Sequence, residues 1–367
     1  MKSAGIRSVA VAFPSVLRTN DFWRKKHPEV LASVEQKSLA RAFAPIDPTS
    51  NTRFFDEEMQ PYLNDPFRGS VERRVLGPSE TVLGLEARAA RDAVAAAGLS
   101  LEDIDLVIVG SLIADQVFPG NAAFLCRELG LRGSCFNVES ACSTGMQGLH
   151  IASTMVRTGQ YKNILVVVSC AYSRNVDVKD TLSFFIGDGC GAFVVGEVPE
   201  GEGFLGFHTR HSADTCEAFH HDVPGDPALP TIWMHTGKNT SKQIREFGTG
   251  SVRDACFGAA RAAGVDVKDI AFYVVNTPLP MYERMCARSL EVDFQRTTNY
   301  YPRYANIGPA LLPVNLHHAA REGKIRKGDL VMLYTIGSAS SYGATVVRWG
   351  DVGLGPDPSP SSSLTLA

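Results

Sequence analysis

The sequence predicts an α/β fold built from two similar halves. Short apolar runs, each the length of a buried strand, alternate with segments of helical spacing. The same alternation starts again in residues 206–350. Hydrophobic residues make up 44% of the 367 residues and charged residues 20%, a globular balance that can bury a large core.

Ile6–Phe13 reads as the first buried strand. Residues 14–66 are polar, aromatic and interrupted by Pro28, Pro45, Pro48 and Pro61, which reads as an irregular cap inserted into the first half. Thr81 precedes an alanine-rich helix, Val82–Ala97, closed by Gly98. Strands then follow at Leu106–Val109, Cys135–Val138 and Ile164–Ser169, with helices at Asn121–Leu129 and Ser143–Thr158 between them. The first half runs to residue 205. In the second, helices are expected over Gly248–Ala263, Pro280–Leu290 and Asn306–Glu322. Its strands are expected at Ile270–Val275, Leu330–Tyr334 and Ala344–Trp349. The tail 351–367 is rich in Pro and Ser and is expected to be disordered.

A formal net charge of -3 offers no electrostatic case for nucleic acid or a membrane surface. No apolar run reaches the roughly 18 residues of a membrane span. The segment MKSAGIRSVAVAF is a poor secretory signal, so a cytoplasmic enzyme is expected. Eight cysteines occur and no pair has CxxC spacing, so no metal site is expected. Most of them read as small buried hydrophobes. The pairs His220-His221 and His317-His318 read as solvated surface, because neighbours on a helix do not share a face. His235 reads as a surface or loop residue.

Cys142 differs from the other cysteines. It lies in Val138-Glu139-Ser140-Ala141-Cys142-Ser143-Thr144-Gly145, between the end of a strand and the start of a helix. A helix N-terminus carries partial positive charge and unpaired N–H groups, which lower a thiol pKa and can face a developing oxyanion. Its small neighbours leave room for a substrate arm. The alternative is a thiol packed at a tight turn.

Five motifs in order give the chain a family resemblance. Ala141–Gly145 is similar to a nucleophile turn, and Gly187-Asp188-Gly189-Cys190-Gly191-Ala192 to a GDGAGA loop. Tyr304-Ala305-Asn306 is similar to a YGN motif. Lys324–Leu330 leads into the penultimate strand, and Gly337–Ala344 stands where a glycine-rich final loop belongs. Over about residues 5–350 the chain resembles the type III ketoacyl-ACP synthase branch of the thiolase superfamily, in a divergent, specialised-metabolism form. The resemblance implies a thiolase-like α-β-α-β-α fold of five layers, and a homodimer. It implies that Cys142 accepts the acyl group and Asn306 donates to a thioester carbonyl. The backbone N–H groups of Cys142 and Ser338, next to Gly337, would form the oxyanion hole. Phe118 would close the partner's acyl pocket, and Arg68 would stand at the mouth of the pantetheine tunnel. No cofactor is implied: acyl-CoA or a phosphopantetheinyl carrier protein is the substrate.

The chain departs from that pattern at Asn276, which takes the place of the family's histidine. An amide can donate to a carbonyl but cannot take up a proton near neutral pH. Met281 stands where an arginine is usual, so Arg284 and Arg288 are candidates to grip the substrate. Three functions stay open. One is acyl transfer from CoA or a carrier protein to an acceptor in secondary metabolism. Another is decarboxylative Claisen condensation, with Asn276 an engineered replacement of histidine. The third is a non-catalytic subunit of a heterodimer.

Overall fold

The computed structural model describes residues 2–42, 46–47, 49–221, 233–337 and 340–367, without the side chains of 37–42. The first part of the chain runs β1 (Ala4–Ala12), β2 (Val16–Thr19), α1 (Asp21–Lys26), α2 (Pro28–Ala42), α3 (Arg53–Met59) and β3 (Glu72–Val75). It continues through α4 (Val82–Ala96), β4 (Leu106–Leu112), α5 (Asn121–Leu129), β5 (Ser134–Asn137), α6 (Thr144–Arg157), β6 (Asn163–Ala171), β7 (Asp188–Glu197) and β8 (Gly203–His211). Then come β9 (Phe219–His221), β10 (Met234–Thr236), α7 (Thr240–Ala263), β11 (Phe272–Val275), α8 (Tyr282–Leu290), α9 (Tyr301–Tyr304) and α10 (Leu311–Arg321). The last elements are β12 (Leu330–Ile336), β13 (Ser341–Arg348), β14 (Gly353–Leu354) and β15 (Thr365–Leu366).

Two sheets form the body. One has the order β14-β1-β7-β6-β4-β5, the other β11-β12-β13-β8. Within the first, β4 and β6 are parallel, and β6-β7 and β7-β1 are antiparallel. The second repeats that pattern, with β11 and β12 parallel and β12-β13 and β13-β8 antiparallel. The duplicated rhythm of the sequence is therefore a duplicated sheet, and the expected boundary at residue 205 falls inside β8.

Helices α6 and α10 lie between the sheets. Met146, Leu149, Leu312 and Leu316 share one core with Ile164 and Val166 of the first sheet and Val331 and Leu333 of the second. Helix α4 covers the outer face of the first sheet, and α7 and α8 the outer face of the second. The five expected layers are present. Among the described residues no helix is long and apolar enough to cross a membrane.

Four expectations are corrected. Residues 188–192 of the glycine-rich run are not a loop but the start of β7, paired with β6 and, from Cys190, with β1. Its glycines let a central helix close on the sheet, since a Cβ at Gly191 would lie 2.3 Å from Pro313 of α10. His317 and His318 are buried, because α10 is enclosed between two sheets and has no solvent face. His317 bonds to the Gly355 carbonyl at 3.0 Å, and His318 meets the Tyr304 hydroxyl at 2.9 Å. Burial holds the His318 imidazole down at about 4.

The cap is also more regular than expected. It forms α1, α2, α3 and β2, and is fixed by Arg73, whose guanidinium stacks on Trp23 at 4.5 Å and donates to Asn20 and to the Phe184 carbonyl. The tail is ordered. Its strand β14 runs parallel to β1 and β15 parallel to β2, so backbone pairing offsets the cost of ordering a polar segment.

Candidate active site

Strand β5 ends at Asn137, and residues Ala141–Ser143 make a 3-10 turn into α6. Ala141 takes a left-handed φ of 47°, the sharp reversal that turns Cys142 out of the core. The turn is held by its neighbours. The Ser140 N–H donates to the Thr144 hydroxyl at 2.9 Å, and that hydroxyl donates to the Ala141 carbonyl at 2.7 Å.

The other half of the molecule grips the same turn. Ser140 Oγ meets Ser341 Oγ at 2.5 Å, and Ser143 Oγ donates to the Ser341 carbonyl at 2.8 Å. Ser143 Oγ also lies 3.1 Å from the Thr335 hydroxyl. Gly337 is needed at this junction, since a Cβ there would come within 2.8 Å of the Ser140 carbonyl. The adjoining Ser338 lies outside the described residues.

Cys142 is partly open to solvent, and its sulfur lies 3.9 Å from the Tyr172 hydroxyl. The thiol departs from expectation. Burial pushes it up to about 11, against the Tyr172 hydrogen bond and with the Glu139 charge adding to the rise. Desolvation of the thiolate is the largest cause of the rise. The raised value means that the thiolate is scarce at neutral pH. Iodoacetamide should therefore alkylate Cys142 at pH 8 roughly a hundredfold more slowly than a thiol of ordinary pKa. The rate should climb about tenfold per pH unit towards 11, read by peptide mass spectrometry with the exposed Cys216 as internal comparison. A rate already at its plateau by pH 8 would contradict this.

Asn306 is set by its backbone, whose N–H donates to the Phe185 carbonyl at 2.8 Å and whose carbonyl accepts from Gly187 at 3.0 Å. Its Oδ1 accepts the Gly308 N–H at 2.8 Å, which orients the amide and turns the NH2 group away from that contact. The preceding Ala305 has φ 56° and ψ -154°, a conformation that glycine adopts without strain and alanine rarely does. Asn306 precedes α10 and is not its first turn, as the sequence had suggested. A Cβ on Gly308 would approach the Tyr172 hydroxyl to 3.3 Å, which places this segment beside the sulfur's neighbour.

Asn276 is fully buried just past β11. Its Oδ1 accepts the Ile336 N–H and its Nδ2 donates to the Ile336 carbonyl, both at 3.2 Å. The side chain thus extends the β11-β12 ladder by one pair of bonds, immediately before Gly337.

The expected binding residues lie further out. Arg68 stacks on Phe185 at 5.2 Å, next to the carbonyl that holds Asn306. Phe118 is 88% exposed at the tip of a loop that enters α5. The loop is anchored at its base by Asn121, which donates to the buried Glu86 at 2.8 Å. Arg284 is exposed and stacks on Phe294 at 4.5 Å, whereas Arg288 is paired with Glu57 and Glu58. His235 is exposed on β10, as expected.

Tyr172, the serine clasp and Asp188 were not anticipated as site residues. Buried Asp188 accepts the Leu76 N–H at 2.8 Å and the Ser173 N–H at 2.9 Å, so it fastens the turn that carries Tyr172. The aspartate in the GDGCGA motif was the available signal.

A five-layered duplicated α/β body with a cysteine on a strand-to-helix turn at its central seam defines a thiolase-type enzyme. Residues 136–213 match the family model of 3-oxoacyl-[acyl-carrier-protein] synthase III, and residues 260–349 match its C-terminal model. A β-ketoacyl-[acyl-carrier-protein] synthase III of Clostridioides difficile is 31% identical over 289 residues, covering 77% of this chain and 88% of that protein. The crystal structure of the synthase III from Thermus thermophilus superposes with a TM-score of 0.76 at 26% identity, over 95% of this chain and 99% of that one. That from Pseudomonas aeruginosa gives 0.77 at 20% identity, over 95% and 99%. The chain belongs to the 3-oxoacyl-[acyl-carrier-protein] synthase III family of the thiolase superfamily.

Proposed function

We propose that the protein is an acyltransferase of specialised metabolism. Cys142 takes an acyl group from CoA or an acyl-carrier protein and passes it to an acceptor without decarboxylating an extender unit. One observation carries the choice of transfer over condensation: both functional atoms of the Asn276 amide are engaged by the backbone of Ile336. Position 276 then has no basic group to take up or hold a proton, and one of its two amide N–H donors is spent on the Ile336 carbonyl.

In this reading Asn306 Nδ2 donates to the thioester carbonyl, and the N–H groups of Cys142 and Ser338 stabilise the tetrahedral oxyanion. In this reading Arg68 and Arg284 contact pantetheine phosphates or an acidic carrier. Exposed Phe118 suits a homodimer in which each subunit closes the other's pocket. The substrates are thioesters and no further cofactor takes part.

Intact-protein mass spectrometry after incubation with a panel of acyl-CoA and acyl-carrier thioesters tests the reading. One acyl mass gain on Cys142 is expected, with carbon dioxide release from malonyl thioester at background. The reading fails if a panel that labels a control condensing enzyme adds no mass to Cys142.

A further inference from the structure

Tyr172 follows directly on β6, and its hydroxyl lies 3.9 Å from the sulfur of the nucleophile. The residue is only 7% exposed. Its ring packs with Cys170, Val176 and Ile186, with Leu112 partly buried against them. The turn behind it is rigid. Asn175 and Val176 both donate to the Tyr172 carbonyl at 3.1 Å, and Ser173 is held by Asp188. The wall is closely fitted, since a Cβ on Gly308 would come within 3.1 Å of the Cys170 sulfur.

A buried phenol requires a hydrogen-bond partner, and a thiol at this distance is a weak one. Burial drives the Tyr172 hydroxyl well above its ordinary range, so it remains a donor. Acylation removes what partner it has. The Cys142 sulfur bonds to the acyl carbon, the bond from that carbon to the pantetheine sulfur breaks, and the thiol proton ends on pantetheine. Nothing is oxidised or reduced. The thioester sulfur that results is a poor acceptor, and its carbonyl oxygen is committed to the oxyanion hole. A plain alkyl chain would leave the phenol proton buried and unpaired, whereas an oxygen on the second or third acyl carbon lies where it can accept that proton's hydrogen bond.

We infer that Tyr172 selects the acyl group: its hydroxyl donates to an oxygen on the α or β carbon, so the site favours short 2-hydroxy-, 3-hydroxy- or 3-oxoacyl thioesters over their alkyl counterparts. Cys170, Leu112, Val176 and Ile186 pack in one cluster with Tyr172 and fix its position. This inference rests on the acyl-loading reading above and names its substrate class.

Matched pairs of CoA thioesters test it: lactoyl against propionyl, and 3-hydroxybutyryl and acetoacetyl against butyryl. Loading of Cys142 is followed by rapid-quench mass spectrometry. In at least one pair the oxygenated member should load about tenfold faster or more, because a site built for a hydrogen bond discriminates against the analogue that lacks it. Tyr172→Phe should bring that ratio to within about twofold. Tyr172→Leu gives the same readout independently should the first variant fold poorly. Equal loading of both members in every pair overturns the inference, as does a native ratio kept in both variants. If no thioester loads Cys142 at all, the acyl-loading reading has failed and this inference falls with it.

Discussion

Replacing Cys142 by alanine is expected to abolish the acyl mass gain and to lower transfer by at least about a thousandfold, the scale on which a covalent nucleophile is missed. The fold should survive. Among the described residues the sulfur's polar side-chain contact is the 3.9 Å approach to Tyr172, and the turn is held instead by Ser140, Ser143 and Thr144. The thermal midpoint should therefore shift by only a few degrees. A variant that keeps the native mass gain would move the acyl group to another residue and remove Cys142 from the mechanism.

Asn276→His is the second large effect. Two bonds from one planar amide to the N–H and C=O of one residue close a ring with Ile336. A neutral imidazole has one donor and one acceptor, but they diverge and cannot meet the N–H and the C=O of the same residue. One backbone group is then left buried without its partner, at a cost of about 1–3 kcal/mol. The expected outcome is a lower unfolding midpoint and carbon dioxide release from malonyl thioester that rises by no more than a few-fold. A rise of several orders of magnitude would show instead that the site is a condensing centre lacking only its histidine. Calorimetry and a labelled-malonyl assay on one preparation separate the two outcomes.

Much of the scaffold was legible in the residues. Helix Asn121–Leu129 coincides with its expected bounds, and helix Val82–Ala97 runs one residue short, capped by Thr81 with its hydroxyl 3.0 Å from the Gly84 N–H. Such elements carry their own periodicity and caps. Features set by distant partners were harder to read. The glycines at the start of Asp188–Glu197 disguise a central strand, and Gly191 answers to Pro313, 122 residues away in the chain. Nothing local buries His317 and His318, because the second covering sheet is what does so. The sequence places Cys142 at a helix start, yet the desolvation that raises its thiol is a property of the packed whole. Tyr172 stands at the end of an apolar strand, and only the third dimension brings its oxygen to the sulfur.

The serine clasp also bears on how a doubled scaffold holds one reactive centre. Ser140 and Ser143 come from the first repeat, and Thr335 and Ser341 from the second. The reactive turn is therefore common property of both repeats. Drift in either one alters the setting of the same thiol, and the two copies, free to diverge elsewhere, are obliged to co-evolve along that suture.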